Sequence, residues 1–197
     1  MIDTTAPEPT NPDAAHAPGR SSLGPLIGGF DEAADRFLER FRGNPFLDRL
    51  FTTASHVGEF SLVWHVISLS RGLVRREPRR VVGLAIGIGL ESLIVNQVLK
   101  RIVGRSRPTT AGDARLRVRK PVTSSFPSGH SSASAFASTV MSDRDGPVLS
   151  TAWYGIGGIV AVSRAYVRIH HASDVVGGLV VGRIMGLIAR RTMRRFV

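Results

Sequence analysis

Between Val81 and Leu99 the chain runs for about one membrane thickness with only Glu91, Asn96 and Gln97 clearly polar. About 20 apolar residues in helical form span a bilayer, so this stretch admits few structures other than a buried or membrane-crossing helix. It does not stand alone. Segments at 57–73, 129–142, 147–166 and 174–189 also read as helical and mostly apolar. Glu59 and His65 interrupt the first of them, and Arg183 the last, which otherwise has only Asp174 at its start. Gly, Ala and Ser recur through several, and such small residues let helices approach closely inside a membrane. A set of buried helices in a soluble protein would share much of this pattern. The expectation is an all-α, multi-helix transmembrane bundle.

The N-terminal region is different in kind. Residues 1–25 are rich in Pro, Ala, Thr and Ser and carry too little apolar surface to order themselves, so a disordered tail is expected. No basic stretch precedes an apolar core there, which excludes a signal peptide reading. Residues 26–56 are expected to be amphipathic and helical. Phe30, Ala33, Ala34, Phe37, Leu38 and Phe41 recur at helical spacing between Asp31, Glu32, Asp35, Arg36, Glu39 and Arg40. Gly43 can end this helix, and Asn44-Pro45 supply an N-cap and first residue for the next. Such helices fit either against a protein core or in the membrane interface. Residues 57–197 form the expected helical-bundle domain.

The chain has no cysteine, which rules out disulfides and thiolate zinc sites, and no pair of its six histidines has a convincing metal spacing. The net charge is +11, nearly all arginine. No helix-turn-helix, zinc-finger or ribonucleoprotein pattern accompanies it, so nucleic acid is not an expected partner. The arginines gather at the ends of apolar runs, where membrane helices carry them. Five lie in 71–80 and four in 190–197, one side of the membrane if the helices alternate, and that side is cytoplasmic by the positive-inside rule. The segment 100–126, with eight basic residues, would lie opposite.

Three short patterns carry chemistry. Lys100 precedes Arg107-Pro108; Pro127-Ser128-Gly129-His130 follows; Ser163-Arg164 leads to His170 and Asp174. Lys100 and Arg107 alone would pass as snorkelling interface residues. Ser128 is a plausible N-cap, and a helix N-terminus binds anions. His170 and Asp174 are four apart and can meet on a helix face, with His171 an equal rival at three. A carboxylate on one imidazole nitrogen leaves the other free as a nucleophile. Together, three cations, a helix N-terminus, two histidines and a carboxylate suit phosphoryl transfer without a metal.

In this order and spacing the patterns resemble the three signature motifs of the type 2 phosphatidic acid phosphatase superfamily, with every fixed letter present between Lys100 and Asp174. The resemblance implies an all-helical core shared with vanadium haloperoxidases. It implies that His170 is the nucleophile, oriented by Asp174, and that His130 is the general acid and base. Lys100, Arg107 and Arg164 would hold the phosphoryl oxygens, assisted by Ser128 and the Gly129 N–H. No cofactor or metal is implied. The expected substrate is a lipid phosphomonoester or pyrophosphate, and the expected location a multi-pass place in the cell membrane with an extracytoplasmic site. A soluble acid phosphatase, a haloperoxidase and a non-catalytic membrane module are the alternatives. Typical membrane members have six spans, whereas four or five are counted here, the amphipathic region standing in for the first.

Overall fold

A computed structural model describes residues 23–108, 116, 118 and 123–196. The expected disordered tail thus lies, but for its last three residues, outside the described residues. All regular structure among the described residues is helical. In chain order the helices are α1 (Pro25–Glu39), α2 (Pro45–Val57), α3 (Leu62–Arg75), α4 (Pro78–Val103), α5 (Gly129–Met141), α6 (Pro147–Tyr166) and α7 (Ala172–Phe196).

The helix starts follow local chemistry. Pro45 opens α2, and Asn44 Oδ1 accepts from the N–H groups of Phe46 and Leu47 at 3.1 and 3.2 Å. Ser128 caps α5, accepting from the Ser131 N–H. The segment expected at 57–73 begins later, at Leu62. A short 3₁₀ turn, Glu59–Ser61, intervenes, with Phe60 and Ser61 at φ of 51° and 58°. Neither residue favours that left-handed region, so the break is imposed by tertiary packing rather than by local preference.

The bundle is built with its small polar residues inside. Helix α5 is buried from Ser131 to Met141, and most of that run is Ser, Ala and Thr. Its hydroxyls are largely satisfied internally: Thr139 donates to the Ala135 carbonyl, Ser138 to that of Trp153, and Ser134 accepts from Trp64. Helix α7 crosses α5 along Gly178, Gly182 and Gly186. A Cβ added at Gly182 would lie 1.9 Å from the Ser132 carbonyl oxygen, so no larger residue fits that crossing. Trp64, Leu84, Ile88, Phe136 and Val140 fill the space between α3, α4 and α5.

Large aliphatic residues face outward instead. Leu62, Val66, Leu69 and Leu73 form an exposed stripe on α3, and Val176, Val180, Ile184 and Ile188 another on α7. Such stripes suit lipid rather than water. Two helices, Pro78–Val103 and Ala172–Arg195, are long and apolar enough to cross a membrane. Of the other expected spans, α3 and α5 have 14 and 13 residues and α6 has 20. Arg183, which interrupts the last span, donates to Thr139 Oγ1 at 3.1 Å and to the Tyr154 hydroxyl. A hydrogen-bonded arginine of this kind is what a membrane helix tolerates.

Helices α1 and α2 lie over the ends of α6 and α7. Arg42, between them, is buried and donates to the carbonyls of Tyr166 and Ala165 at 2.8 and 3.1 Å, satisfying the exposed end of α6. The amphipathic α1 packs mainly by its polar face. Asp31 and Asp35 point inward with Leu38, while Leu26, Phe30 and Phe37, and Phe41 just beyond the helix, are exposed. Of the two sequence readings, a core-facing apolar stripe does not describe α1.

Candidate active site

Lys100, Arg107, Arg164, His130 and His170 converge at one end of the bundle, beneath α1 and α2. Each arrives by a different local device. In α4 the segment Ile94–Leu99 is π-helical. Nine residues of regular α-helix turn through about 900°, which would put Glu91 and Lys100 on opposite faces. The wider π turn rotates Lys100 back, and both become buried beside one cavity. Gly104, at φ 61°, then ends the helix, and Arg105 and Arg107 enter the site from the following loop.

The start of α5 carries His130. Its Nε2 is buried and has no hydrogen-bond partner among the described residues. Gly58, at the end of α2, passes close by: a Cβ there would sit 2.8 Å from His130 Cδ2. Gly129 lies against Asn96 and Lys100, with its missing Cβ 3.9 Å from Lys100 Nζ.

His170 sits in the turn between α6 and α7, almost wholly buried. Arg107 Nη1 approaches its Nε2 at 3.1 Å and also donates to the Ile169 carbonyl at 2.6 Å. Guanidinium only donates, so Nε2 must be the acceptor and the ring proton must lie on Nδ1. Nδ1 faces Asp174 Oδ2 at 3.5 Å, longer than a well-formed hydrogen bond. Burial first, and then the Arg107 and Arg164 charges, push the His170 imidazole down to about 3 against the opposing pull of Asp174. It is therefore neutral at neutral pH, with its Nε2 lone pair turned toward the cations.

Asp174 is itself held on all sides. Arg105 Nη1 donates to Oδ1 at 2.5 Å, the His171 N–H donates to Oδ2 at 2.8 Å, and Ser125 Oγ also donates to Oδ2. The other arm of Arg105 binds Asp31 Oδ2 of α1 at 2.6 Å. Ser173 ties both ends of this bridge, donating to Asp31 and accepting from Arg105. His171 faces Asp31, 4.0 Å from Oδ2. The rivalry between the two histidines is thus separated in space: His170 opens on the cations, His171 on α1.

Arg164 donates to the backbone carbonyl and the hydroxyl of Ser55, and its Nε is buried without a partner. Lys100 donates to Thr123 Oγ1 at 3.4 Å, and Arg107 Nε to the Thr123 carbonyl at 3.1 Å. Among the described residues no carboxylate pairs with Lys100, Arg107 or Arg164. Lys100 and Arg164 border a cavity of about 580 Å³ that runs from His170 and His130 along α4 past Glu91 to Ile88 and Ala85, with Phe60 also in its lining.

Every site residue expected from sequence is at this end of the bundle. Lys100, Gly129, His130, Arg164 and His170 line the cavity; Arg107 reaches His170 directly; Asp174 stands behind His170. Ser128 is buried, and its hydroxyl receives the α5 N–H and the Ser131 hydroxyl, so it shapes the turn rather than the cavity wall. Sequence reasoning missed Asp31, Ser55, Arg105, Thr123 and Ser125. Arg105 carried a signal as a cation inside the first motif, and Thr123 and Ser125 lie just before the second; Asp31 and Ser55 are joined to the site across long stretches of chain.

The comparisons with known proteins agree with this geometry. Residues 80–197 match the model of the PAP2 superfamily. The decaprenylphosphoryl-5-phosphoribose phosphatase of Mycobacterium tuberculosis is 30% identical over 135 residues, covering 68% of this chain and 73% of that protein. The enzyme of the same name from Mycolicibacterium smegmatis is 32% identical, covering 63% of this chain and 67% of its own length. The crystal structure of a transmembrane PAP2-type phosphatidylglycerolphosphate phosphatase from Bacillus subtilis superimposes with a TM-score of 0.69 at 25% identity, covering 88% of this chain and 89% of the other. Aquifex aeolicus LpxE shares the fold, with a TM-score of 0.64 at 23% identity over 80% of this chain and 92% of its own. The chain belongs to the PAP2 superfamily. It is a phosphatase, a hydrolase of phosphoric monoesters, and a membrane protein with lipid phosphatases as relatives.

Proposed function

We propose that the protein removes a terminal phosphate from a lipid phosphomonoester or pyrophosphate through a phosphohistidine on His170. The observation that carries this reading is the directed hydrogen bonding of His170, whose Nε2 accepts from Arg107 while Nδ1 faces Asp174, beside a cavity lined by Lys100 and Arg164. Lys100, Arg107, Arg164 and the Gly129 N–H bind the phosphoryl oxygens, and Arg107 exchanges His170 for substrate as it does so. Nε2 attacks phosphorus in line. The bond from phosphorus to the leaving oxygen breaks, and His130 gives that oxygen a proton. His130 then takes a proton from water, which attacks the phosphohistidine. The nitrogen–phosphorus bond breaks, inorganic phosphate leaves, and the enzyme returns to its starting state.

The apolar run of the cavity along Ala85, Ile88 and Phe60 suits a lipid chain. Outward aliphatic stripes on α3 and α7 favour a membrane enzyme over a soluble acid phosphatase. The site opens on the extracytoplasmic side, because Arg71, Arg75, Arg76, Arg79 and Arg80 lie at the other end of the bundle with the C-terminal arginines. Residues 57–197 form the catalytic bundle, with 26–56 an amphipathic cover.

The test is phosphate release by detergent-purified protein from a panel of lipid and soluble phosphoesters in EDTA, with His170→Ala alongside. The expected result is turnover of a lipid class that is lost in the variant, with inhibition by orthovanadate. Near-full activity in His170→Ala, or a rate restored by a divalent metal after EDTA, would overturn the mechanism.

A further inference from the structure

The carboxylate that orients His170 has a second carboxylate behind it. Asp31 lies on α1, outside all three motifs and more than a hundred residues from Asp174. Arg105 joins the two, at 2.6 Å to Asp31 and 2.5 Å to Asp174. All three side chains are buried. Ser173, next to Asp174 in the chain, gives its N–H and its hydroxyl to Asp31 at 2.8 and 2.9 Å. Asp31 is therefore locked to the first turn of α7, the same turn that carries Asp174.

The electrostatics of a pair and of a triad differ. Arg105 with Asp174 alone sums to zero, and a carboxylate so neutralised does little for a neighbouring imidazole. Adding Asp31 leaves a net charge of −1 behind His170. That excess matters when Nε2 bonds to phosphorus, because the ring then carries a positive charge with its proton on Nδ1 facing Asp174. Low-dielectric surroundings enlarge the effect, and His170 is among the most buried side chains of the site.

We propose that Asp31 is a positioning residue for the phosphoryl transfer: by sharing Arg105 it leaves a net negative charge behind His170, and it fixes the direction of Asp174. The N-terminal amphipathic helix is then part of the catalytic apparatus. This inference rests on the phosphohistidine reading above. Asp31 touches neither the phosphoryl site nor the cavity, so its effect falls on the chemical step. Binding of the phosphate is unchanged or slightly tighter when the negative charge is removed.

The experiment measures kcat and KM of full-length Asp31→Asn, Asp31→Glu, Arg105→Ala and the double variant Asp31→Asn/Arg105→Ala, with His170→Ala as reference. Asp31→Asn is expected to lower kcat by about 10–100-fold, the size of one charge acting across a guanidinium at an effective dielectric of about 20. KM, and the inhibition constant for orthovanadate, stay unchanged or fall. Asp31→Glu restores the charge and recovers most of kcat. In the Arg105→Ala background, Asp31→Asn has little further effect, because the path through the guanidinium is already cut. A kcat within twofold of wild type, a loss carried by KM, losses that simply multiply in the double variant, or failure of Asp31→Asn to fold would each overturn the proposal. An active His170→Ala would sink the phosphohistidine reading itself; a dead His170→Ala beside a fully active Asp31→Asn would remove only the role of Asp31.

Discussion

The two ends of the bundle use the same residue type for opposite purposes. At the end formed by the 71–80 and 142–147 segments, arginines are matched to aspartates. Arg71 grips both oxygens of Asp145 at 2.6 and 2.8 Å, and Arg75 joins them at 3.0 Å. Asp143 gathers Arg80, Arg190 and Arg194. These pairs pin α3, α4 and α7 to the turn before α6. At the other end Lys100, Arg107 and Arg164 meet hydroxyls, carbonyls and an imidazole, with no described carboxylate among their partners. Matched cations stabilise a fold. Buried cations held close together without a directly paired carboxylate repel one another, and an incoming dianion would relieve that repulsion. The count of arginines says nothing of this difference; the partners do.

The comparison can be broken most severely at His170. Replacing it with alanine should lower kcat by about three orders of magnitude or more while the protein keeps its elution volume and helical content, because the proposed mechanism makes its covalent bond there. Next comes a pair of substitutions chosen from the two ends. Arg164→Gln should cost about 100–1000-fold in kcat/KM with a smaller loss of Tm, since the lost bonds to Ser55 are partly offset by removal of a repelling charge. Arg71→Gln should do the reverse, lowering stability by about 1–3 kcal/mol with kcat intact. Thermal unfolding and steady-state rates on both proteins would decide; a stability loss in Arg164→Gln equal to that in Arg71→Gln would erase the distinction.

A smaller effect concerns acid. The His170 imidazole takes a proton near pH 6.5 when unfolded but not until about 3 when folded. The unfolded chain thus holds the extra proton between these values, and the stability this group contributes above pH 6.5 is lost as pH falls toward 3. His170→Gln titrates in neither state, so its Tm should decline less than that of wild type between pH 7 and 4. Parallel declines would mean the ring is not held neutral. Smallest of all, Gly58→Ala should reduce kcat roughly 10-fold by pressing on His130, 2.8 Å from the added methyl, and should lower Tm as well because Val160 lies 2.9 Å from it.

Much of the site was legible because its residues come in short, ordered runs whose spacing is set by helix starts and turns. Ser128 as a cap, Asn44-Pro45 as a helix start, and His170 with Asp174 one helical turn apart are all local relations. Choosing His170 over His171 from sequence needed the family resemblance; in the structure their surroundings separate them. The start of α3 was misjudged because Phe60 and Ser61 take a backbone conformation that nothing in their own chemistry favours. The face of α1 was not decidable either, since an amphipathic pattern gives two sides but not which one meets the protein.

The sequence by itself determined that the chain would be helical, that most of its helices would be apolar, and which histidines, arginines and lysine stand in the family's motif positions. Those properties are periodicities and spacings, and they travel with the residues. Only the tertiary structure decided that Asp31 and Ser55 belong beside them, that Arg105 bridges two carboxylates, and which arginines are matched and which are left to face an anion. Charge acts across a few ångströms of space without regard to chain separation, so a partner more than a hundred residues away leaves no local trace until the helices pack.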